Sequence, residues 1–464
     1  MIPLSESDPR AEEMALEVSP VSPQLDRWIR QRGRDLRPPQ VDRQHAVKLV
    51  NNLIKDLQKF LKDNQEQPFF RDVSTLTTGS YYELVKIDKP NEFDIMLKLK
   101  TPSRLTWKAL EKYNGVFYTV SLSRPTRNEI RHFLLDDERT ISSTKIMKEM
   151  HHLVKKFIKI HEVPAAEGRW EVHTKRVNSP AVTLGFVNKD DETEILSVDI
   201  VPALEVPQRW PLAARGGPVV DNWLGRHCRR RFVGKPVYFV PKRPKLRNLS
   251  DVEKESWRIS FSHVEKEMIR YHGNRRTCCE GRGNKCCRKL CLRLLKCLFE
   301  GLKQTYLKEL KPLCSYHGKT AFFHNLSERF DDSLWTPGQL SDCFMRLLLD
   351  FEHAAQQGSL PHFFVPDYNL FSPSVFPKRS LMLLTNALKE QRESGLPLLK
   401  VQSPPALCYN PALPPQPQEI TAEPVTVTLQ NDTVTHQKSS FTCITVTVAG
   451  IMVLLVIGFA LLYV

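Results

Sequence analysis

The sequence predicts an α+β protein of two lobes, with a mixed β-sheet lobe followed by a helical lobe. Apolar and polar residues alternate from Phe69 to Glu205, which is typical of strands with one buried face. After Trp210 the apolar residues recur at the spacing of amphipathic helices. At 464 residues the chain can bury a large core and still carry tails. We therefore expect a sheet lobe over residues 41–205 and a helical lobe over residues 206–400.

The N-terminal region divides into a tail and a long helix. Residues 1–40 start with an acidic stretch and end in a run of arginines, so we expect this segment to be disordered. From Val41 to Lys62 the apolar residues follow helical spacing and predict one long amphipathic helix. A further helix is expected from Ser143 to Ile160, inside the sheet lobe. The helices expected in the second lobe cover Asn222–Arg231, Trp257–Tyr271, Cys287–Glu309, Pro337–Gln357 and Leu381–Gln391.

The C-terminal region is expected to form a linker and a membrane anchor. Residues 401–438 are rich in proline, which predicts an extended tether. Phe441 to Val464 carries no charge, and as a helix it would extend about 36 Å, enough for a hydrocarbon core of about 30 Å. Lys438 precedes this run and favours a tail anchor over residues 439–464, with the body of the protein facing the cytosol. An isoform-specific tail on a soluble cytosolic or nuclear protein is the alternative.

The charge balance indicates a polyanionic partner. The chain has 67 Lys and Arg against 52 Asp and Glu, a formal charge of +15, which exceeds what solubility requires. The excess is concentrated in Arg27–Arg37, Arg226–Arg231 and Arg275–Lys296. One such run is usually a solvated surface, but three separate clusters favour a nucleic acid.

Three carboxylates have the spacing of a metal-dependent nucleotidyl-transfer site. Glu92 and Asp94 are two residues apart on an expected strand, so they project from the same face. Asp199, in a second apolar run, could complete the cluster from a neighbouring strand. Such a cluster suits two Mg²⁺, or Mn²⁺, which would activate an attacking hydroxyl and neutralise the departing pyrophosphate. A solvated strand face is the alternative, although a carboxylate among Val, Ile and Leu is costly unless it is paired or metal-bound.

A glycine and a serine precede these carboxylates and suit the binding of a triphosphate. Gly79 lets the backbone approach phosphates closely, and the amides and hydroxyl of Ser80 can bind them. Alone, this dipeptide is a weak signal.

The cysteines indicate a structural metal site. Six of the eleven cysteines lie between Cys278 and Cys297. The polar start of the chain has no signal-peptide core, so we expect a reducing compartment, where clustered cysteines bind metal more often than they form disulfides. One His and three Cys would form a closed tetrahedral zinc site, with unligated thiols as the alternative and Cys287 or Cys291 as substitute ligands. The ligands expected for one Zn²⁺ are His272, Cys278, Cys279 and Cys286.

Taken together, these motifs resemble the cyclic GMP-AMP synthases over roughly residues 41–395. The most discriminating feature is the His-Cys-Cys-Cys cluster over residues 272–286, the zinc thumb that separates the DNA-sensing enzymes from oligoadenylate synthases and most RNA-responsive relatives. The other matching segments are Thr78–Glu83, Pro90–Asp94, Ser179–Leu184, Ser197–Ile200, Trp257–His263, Ser315–His317, Lys319–His324 and Asn369–Ser372.

The resemblance implies a bilobal nucleotidyltransferase fold and a reaction. Members join ATP and GTP through a 2′–5′ bond and close the product with a 3′–5′ bond, giving 2′,3′-cyclic GMP-AMP, a second messenger of innate immunity. By resemblance Tyr316 would stack on a nucleobase and Arg258 would read guanine, for which its forked donors are suited. The nucleotide contacts implied are Thr78, Gly79, Ser80, Thr183, Arg258, Ser260, Ser262, Glu265, Lys296, Ser315 and Tyr316.

The resemblance also implies an activator and an assembly. In the family, double-stranded DNA lies across the long helix and the zinc thumb, in a complex of two proteins and two DNAs that makes the enzyme a homodimer on DNA. Basic residues there would contact phosphates without reading sequence. The alternatives are a related synthase activated by RNA and a non-catalytic scaffold on the same fold. The DNA contacts expected are Arg34, Arg37, Arg275, Arg276, Lys285, Arg288, Lys289 and Arg293.

Overall fold

The computed structural model describes residues 20–101, 104–163, 168–175, 178–245, 248–273, 278–279 and 285–400, which all belong to one compact unit. The linker expected over residues 401–438 and the membrane anchor expected over 439–464 lie outside these ranges. Within them, no helix combines the length and the apolar character needed to cross a membrane.

Most of the helices belong to the second half of the chain. Short 3₁₀ turns cover Pro68–Phe70, Glu111–Tyr113, Glu129–Phe133, Leu212–Ala214, Asp332–Trp335 and Pro337–Gln339. The α-helices are α1 (Pro23–Asp35), α2 (Gln40–Asp63), α3 (Gly79–Tyr82), α4 (Ser143–Ile160), α5 (Arg226–Val233), α6 (Asp251–Lys254), α7 (Ser262–Arg270), α8 (Arg288–Thr305), α9 (Ser315–Glu328), α10 (Leu340–Gln357), α11 (Lys378–Glu393) and α12 (Pro397–Lys400).

The strands form one large mixed sheet and one small hairpin. The large sheet has the order β1-β2-β7-β8-β9-β4-β3, and β6 pairs with a further part of β7 and with β5. Only β2 and β7 pair in parallel among these strands; the other described pairings are antiparallel. The strands are β1 (Ser74–Thr78), β2 (Glu92–Lys100), β3 (Leu105–Ala109), β4 (Phe117–Leu122), β5 (Gly168–Val172), β6 (Val182–Asn188), β7 (Glu194–Val206), β8 (Val237–Val240), β9 (Trp257–Ser260), β10 (Pro361–His362) and β11 (Val365–Asn369).

Strand β2 separates the core from the site because its side chains alternate between two faces. Phe93, Ile95 and Leu97 are buried in the main core, which also contains the apolar faces of α2 and α4. Met96, on the opposite face, belongs to a small separate cluster with residues of β7 and β8. Glu92 and Asp94 share the Met96 face, so the helices on one side leave the other side available for chemistry.

The N-terminal segment corrects one prediction. Disorder was expected up to residue 40, but residues 23–35 form α1, which begins with a serine cap and a proline at its first position. Ile29 is fully buried, and α1 packs on α8 and α10. Arg30 donates to the carbonyl of Pro337 at 2.6 Å, and Ser341 donates to Asp26 at 2.6 Å. A few distant contacts thus order a segment whose own composition predicts disorder.

The lobe boundary also differs from the prediction. The sheet does not end at Glu205, because β8 and β9 add to it. The helix expected from Trp257 to Tyr271 is a strand followed by α7, with Trp257 and Ile259 buried and Arg258 and Ser260 half-buried. A strand of four residues is too short for its alternation to stand out from the helical period that follows.

Candidate functional site

Strand pairing brings the predicted carboxylates together. In the parallel pair of β2 and β7, Asp94 is the register partner of Asp199. Register partners project from the same face, so these two carboxylates are neighbours, and Glu92 lies two residues earlier on that face. Thr183 of β6 is opposite Asp199 and donates to its Oδ1 at 2.6 Å. The structure therefore places all three predicted carboxylates on one face of the sheet.

The electrostatics of this pair favour a cation. Burial, together with the neighbouring charge of Asp199, raises the pKa of Asp94 to about 6. Glu92 is largely exposed and accepts from Lys86 Nζ at 2.6 Å. A half-buried carboxylate beside a second one is costly unless a positive charge relieves it, and oxygen donors suit Mg²⁺. The donor set thus fits divalent metal ions.

Gly79 is the position where the turn predicted to bind phosphate meets this pair. Its φ is +77°, a conformation that side chains disfavour. A Cβ built on Gly79 would lie 1.8 Å from Oδ2 of Asp94. Thr78 is buried and pairs with Asp94 across β1 and β2, and Gly79 begins the short helix α3. Only glycine therefore allows the turn to approach the carboxylates.

The predicted base-reading residues lie on the same sheet face. Register partners link Asp199 to Thr183, Glu205 to Tyr238 and Tyr238 to Ser260. Because residues two apart share a face, Arg258 and Ser260 project from the side that carries Asp94. Ser260 and Ser262 hydroxyls are 3.2 Å apart.

Helices α8 and α9 supply the other predicted contacts. Lys296 is buried and donates to the carbonyl of Val85 at 3.1 Å, and burial lowers its pKa to about 8. Ser315 is exposed at the start of α9. The half-buried Tyr316 donates to Glu265 at 3.1 Å, and burial raises the pKa of its phenol. Of these residues, Lys296 is close enough to Glu92 for its charge to contribute to lowering the pKa of that carboxylate, together with the hydrogen bond from Lys86.

Three residues of the site were missed as functional residues. Lys319 Nζ lies 2.7 Å from Glu83 and 3.1 Å from Glu265. His362 Nε2 is 2.8 Å from the hydroxyl of Tyr316. Lys319 and Glu83 were within matching motifs, and a lysine in the buried face of α9 was the available signal; His362 is in a segment with no motif.

The predicted zinc ligands form one cluster. The ligand atoms of His272, Cys278, Cys279 and Cys286 all lie within 4.8 Å of one another. His272 Nε2 is 3.0 Å from Cys286 Sγ, and Cys279 Sγ is 3.6 Å from Cys286 Sγ. Tetrahedral zinc with bonds of about 2.3 Å to sulfur and 2.0 Å to nitrogen requires ligand atoms about 3.5–3.8 Å apart. The cluster therefore fits a closed zinc site with little adjustment.

The protonation of this cluster also suits a metal. His272 Nδ1 is 2.7 Å from the carbonyl of Ile269, so it donates there and leaves Nε2 for a metal. The hydrogen bond with Cys278 and the neighbouring His272 lower the pKa of Cys286 to about 3. A thiolate is the metal-binding form of cysteine. Cys287 and Cys291 are buried, and they are outside the group of atoms that could share one ion in the described residues.

The predicted DNA contacts are only partly at the surface. Arg34, Arg37 and Lys285 are exposed, whereas Arg275 and Arg276 lie outside the described residues. The prediction for Arg288 is wrong, because this residue is fully buried and its guanidinium pairs with Asp332 at 2.8 Å. A buried, paired arginine cannot reach a phosphate. Lys289 and Arg293 are half-buried, and Arg293 donates to the carbonyl of Leu84 at 2.7 Å.

Comparison with known proteins identifies both lobes. Residues 81–271 match the Mab-21 protein nucleotidyltransferase domain, and residues 287–390 match the Mab-21 protein HhH/H2TH-like domain. The chain is 38% identical over 367 residues to cyclic GMP-AMP synthase of Mus musculus, covering 78% of this chain and 68% of that protein. It is 38% identical over 358 residues to cyclic GMP-AMP synthase of Sus scrofa, covering 76% and 68%. A cyclic GMP-AMP synthase-like receptor of Magallana gigas is 24% identical over 358 residues, with 75% of this chain and 56% of that protein covered.

Proposed function

The chain belongs to the cyclic GMP-AMP synthase family of Mab-21 nucleotidyltransferases, and we propose that it joins ATP and GTP into 2′,3′-cyclic GMP-AMP when double-stranded DNA binds. The main support is the pairing of Asp94 with Asp199 in adjacent parallel strands. The turn at Gly79 lies beside this pair, in a position that a residue with a Cβ could not occupy. That arrangement suits transfer of a nucleotidyl group, because divalent ions would relieve the cost of placing two carboxylates side by side.

The residues divide the reaction between holding phosphates and holding bases. Glu92, Asp94 and Asp199 would hold two Mg²⁺, which when bound would make the attacking hydroxyl more nucleophilic and neutralise pyrophosphate. Gly79 lies beside Asp94, and the amides of Gly79 and Ser80 would bind the triphosphate. Arg258 and Tyr316 flank the site and can orient the nucleobases.

The His272 cluster is proposed to be a structural zinc site. All four ligand positions are filled by protein side chains, which leaves no open position for substrate. Cys286 immediately precedes Cys287, the residue that caps α8. Zinc held there would fix the start of a helix that reaches the nucleotide site through Lys296.

Double-stranded DNA is the proposed activator. The excess of 15 positive charges and the exposed Arg34, Arg37 and Lys285 support a phosphate-binding surface. A complex of two proteins on two DNAs is part of the proposal and would appear in sedimentation as a dimer that forms only with DNA. RNA is the competing activator.

Membrane attachment is a separate proposal and rests on the sequence alone. The uncharged run from Phe441 to Val464 supports it. Full-length protein should remain with membranes after carbonate extraction, whereas a chain truncated after Ser403 should be released. Equal release of both chains would refute the anchor without affecting the enzyme assignment.

The reaction is tested with full-length protein, ATP, GTP and Mg²⁺, with duplex DNA, duplex RNA or neither. The product is identified by mass spectrometry and by nucleases that distinguish 2′–5′ from 3′–5′ bonds. We expect 2′,3′-cyclic GMP-AMP only with DNA. Product formed only with RNA would replace the activator, and absence of product under every condition would favour the scaffold.

A matched pair of variants tests the carboxylate assignment. Glu92→Ala with Asp94→Ala should abolish turnover while DNA binding persists. Glu111→Ala with Asp136→Ala removes two exposed carboxylates elsewhere and should leave turnover unchanged. Turnover by the first pair would contradict the metal assignment.

A further inference from the structure

The hydroxyl of Tyr316 lies between two buried partners. It is 3.1 Å from Oε1 of Glu265 and 2.8 Å from Nε2 of His362. Glu265 is 5% exposed and His362 is 7% exposed. A tyrosine ring turns about two side-chain bonds, so bonds on both sides of its hydroxyl hold the ring face in one direction.

The backbone decides which nitrogen of His362 carries the proton. Nδ1 accepts from the amides of Phe364 and Val365, both at 3.1 Å. A nitrogen that accepts two hydrogen bonds is unprotonated, so a neutral imidazole has its proton on Nε2. Burial lowers the pKa of His362 to about 3, which keeps the ring neutral. His362 therefore donates to Tyr316, and the Tyr316 hydroxyl is left to donate to Glu265.

Glu265, which accepts from the Tyr316 hydroxyl, is itself held by an ion pair. Oε2 of Glu265 pairs with Lys319 Nζ at 3.1 Å, and Lys319 also pairs with Glu83 at 2.7 Å. Glu83 follows α3, and its amide donates to the carbonyl of Gly79 at 3.0 Å. Glu265 therefore accepts from both Tyr316 and Lys319, and these contacts connect His362 with the turn beside Asp94.

We infer that His362 is a positioning residue, whose fixed Nε2–H donates to the Tyr316 hydroxyl and holds the ring in the orientation that stacks on a purine base. The inference rests on the proposed function, because it assumes that Tyr316 meets a nucleobase. His362 acts through Tyr316 and does not itself contact the nucleotide, since both of its nitrogens already have protein partners.

Two substitutions of His362 separate its two bonds. In His362→Gln the side-chain amide reaches the place of Nε2 and can still donate to Tyr316. In His362→Asn the shorter amide can replace only Nδ1, so the turn at Phe364 keeps its acceptor while Tyr316 loses its donor. Tyr316→Phe removes the hydroxyl and keeps the ring.

Steady-state kinetics of the full-length protein with duplex DNA test the inference. We expect His362→Asn and Tyr316→Phe each to raise KM for the purine nucleotides about fivefold, the effect of one hydrogen bond, with kcat changed less than twofold. His362→Gln should restore KM to within twofold of wild type. The double variant should match Tyr316→Phe alone, because both changes break the same bond. Multiplied effects in the double variant, or a KM unchanged in His362→Asn, would overturn the inference.

Two readouts do not depend on turnover. Calorimetric binding of ATP without added Mg²⁺ should show the same order of affinities, so the inference can hold even if the proposed reaction fails. Nitrogen NMR of histidines, assigned with His362→Asn, should show the Nε2–H form of His362 unchanged between pH 5.5 and 8. A proton on Nδ1, or titration in this range, would refute the inference even if a variant does not fold.

Discussion

At the scale of single residues, Gly79 determines how closely the turn proposed to bind phosphate approaches Asp94. Gly79→Ala would place a methyl group 1.8 Å from Asp94 at a φ of +77°, so either the turn or Asp94 must move. A displacement of about 1 Å can reduce catalysis about hundredfold, and we expect a loss of at least that size in initial rate with DNA. Gly216→Ala is the control, because nothing lies within 4 Å of its added Cβ. A rate above half of wild type in Gly79→Ala would contradict this reading of the turn.

The raised pKa of Asp94 makes the stability of the fold depend on pH. Its pKa is about 6 in the fold against 3.8 ordinarily, so the folded protein binds a proton more tightly than the unfolded chain. The carboxyl therefore stabilises the metal-free fold at pH 4, and this contribution is lost as the pH rises through 6, by at most about 3 kcal/mol. Asp94→Asn should remove that dependence.

The measurement is urea unfolding without added Mg²⁺ at pH 4.5 and pH 7.5. The free energy of unfolding of Asp94→Asn should exceed that of wild type at pH 7.5 and approach it at pH 4.5. Mg²⁺ should stabilise wild type only. Asp72→Asn removes an exposed carboxylate and should show neither effect. Equal pH profiles for Asp94→Asn and wild type would show that the pKa of Asp94 is not raised by the fold.

The sequence allowed the carboxylates to be predicted because strand alternation is local. Glu92 and Asp94 share a face whatever the rest of the chain does. The burial of Arg288 is not local, since it depends on Asp332 from a distant turn. The contact between His362 and Tyr316 is also not local, because the two residues are 46 positions apart in the chain.

At the scale of elements, α8 holds the loop between the glycine turn and Glu92. Arg293 and Lys296, three residues apart on one helix face, donate to the consecutive carbonyls of Leu84 and Val85. Leu84 has a φ of 63°, a conformation that costs a non-glycine residue about 1–3 kcal/mol. The helix thus holds this loop in a conformation that the loop would not adopt alone.

Arg293→Met tests this restraint. We expect amide exchange over residues 83–88 to accelerate at least tenfold without DNA, because one carbonyl loses its donor while the length of the side chain is kept. Lys303→Met, on the same helix, should leave exchange unchanged. Since the alternative role of Arg293 is DNA contact, unaltered exchange without DNA would favour that role over the restraint.

The proposed zinc site lies directly before the start of α8. Cys286→Ser should lose bound zinc, measured by mass spectrometry of metals, and should lower the free energy of unfolding by roughly 3 kcal/mol or more. That is a fraction of the about 10–16 kcal/mol that structural zinc supplies to isolated fingers. Cys228→Ser, at a cysteine outside the cluster, should keep both zinc and stability. Full zinc content in Cys286→Ser would instead point to Cys287 as the ligand.

Helices were predicted well where the hydrophobic pattern continues over many residues. The expected helices from Val41 to Lys62 and from Ser143 to Ile160 correspond to α2 and α4. The helix α1 and the strand β9 were not predicted, because one is ordered by contacts 300 residues away and the other is only four residues long.

At the scale of the whole molecule, net charge and the exposed arginines determine how the protein meets a polyanion. Binding to duplex DNA should weaken linearly on a double-logarithmic plot against salt, because each neutralised phosphate releases counterions. Since Arg37 and Lys285 are exposed, Arg37→Ala and Lys285→Ala should each reduce the slope by about one. Fluorescence anisotropy of a labelled duplex between 50 and 300 mM salt measures this. Arg169→Ala is the matched control, since Arg169 is already paired with Glu192 at 2.6 Å and contributes no free charge. An unchanged slope in both test variants would show that DNA binds to another surface. The enzyme assignment would then still be supported by the carboxylates.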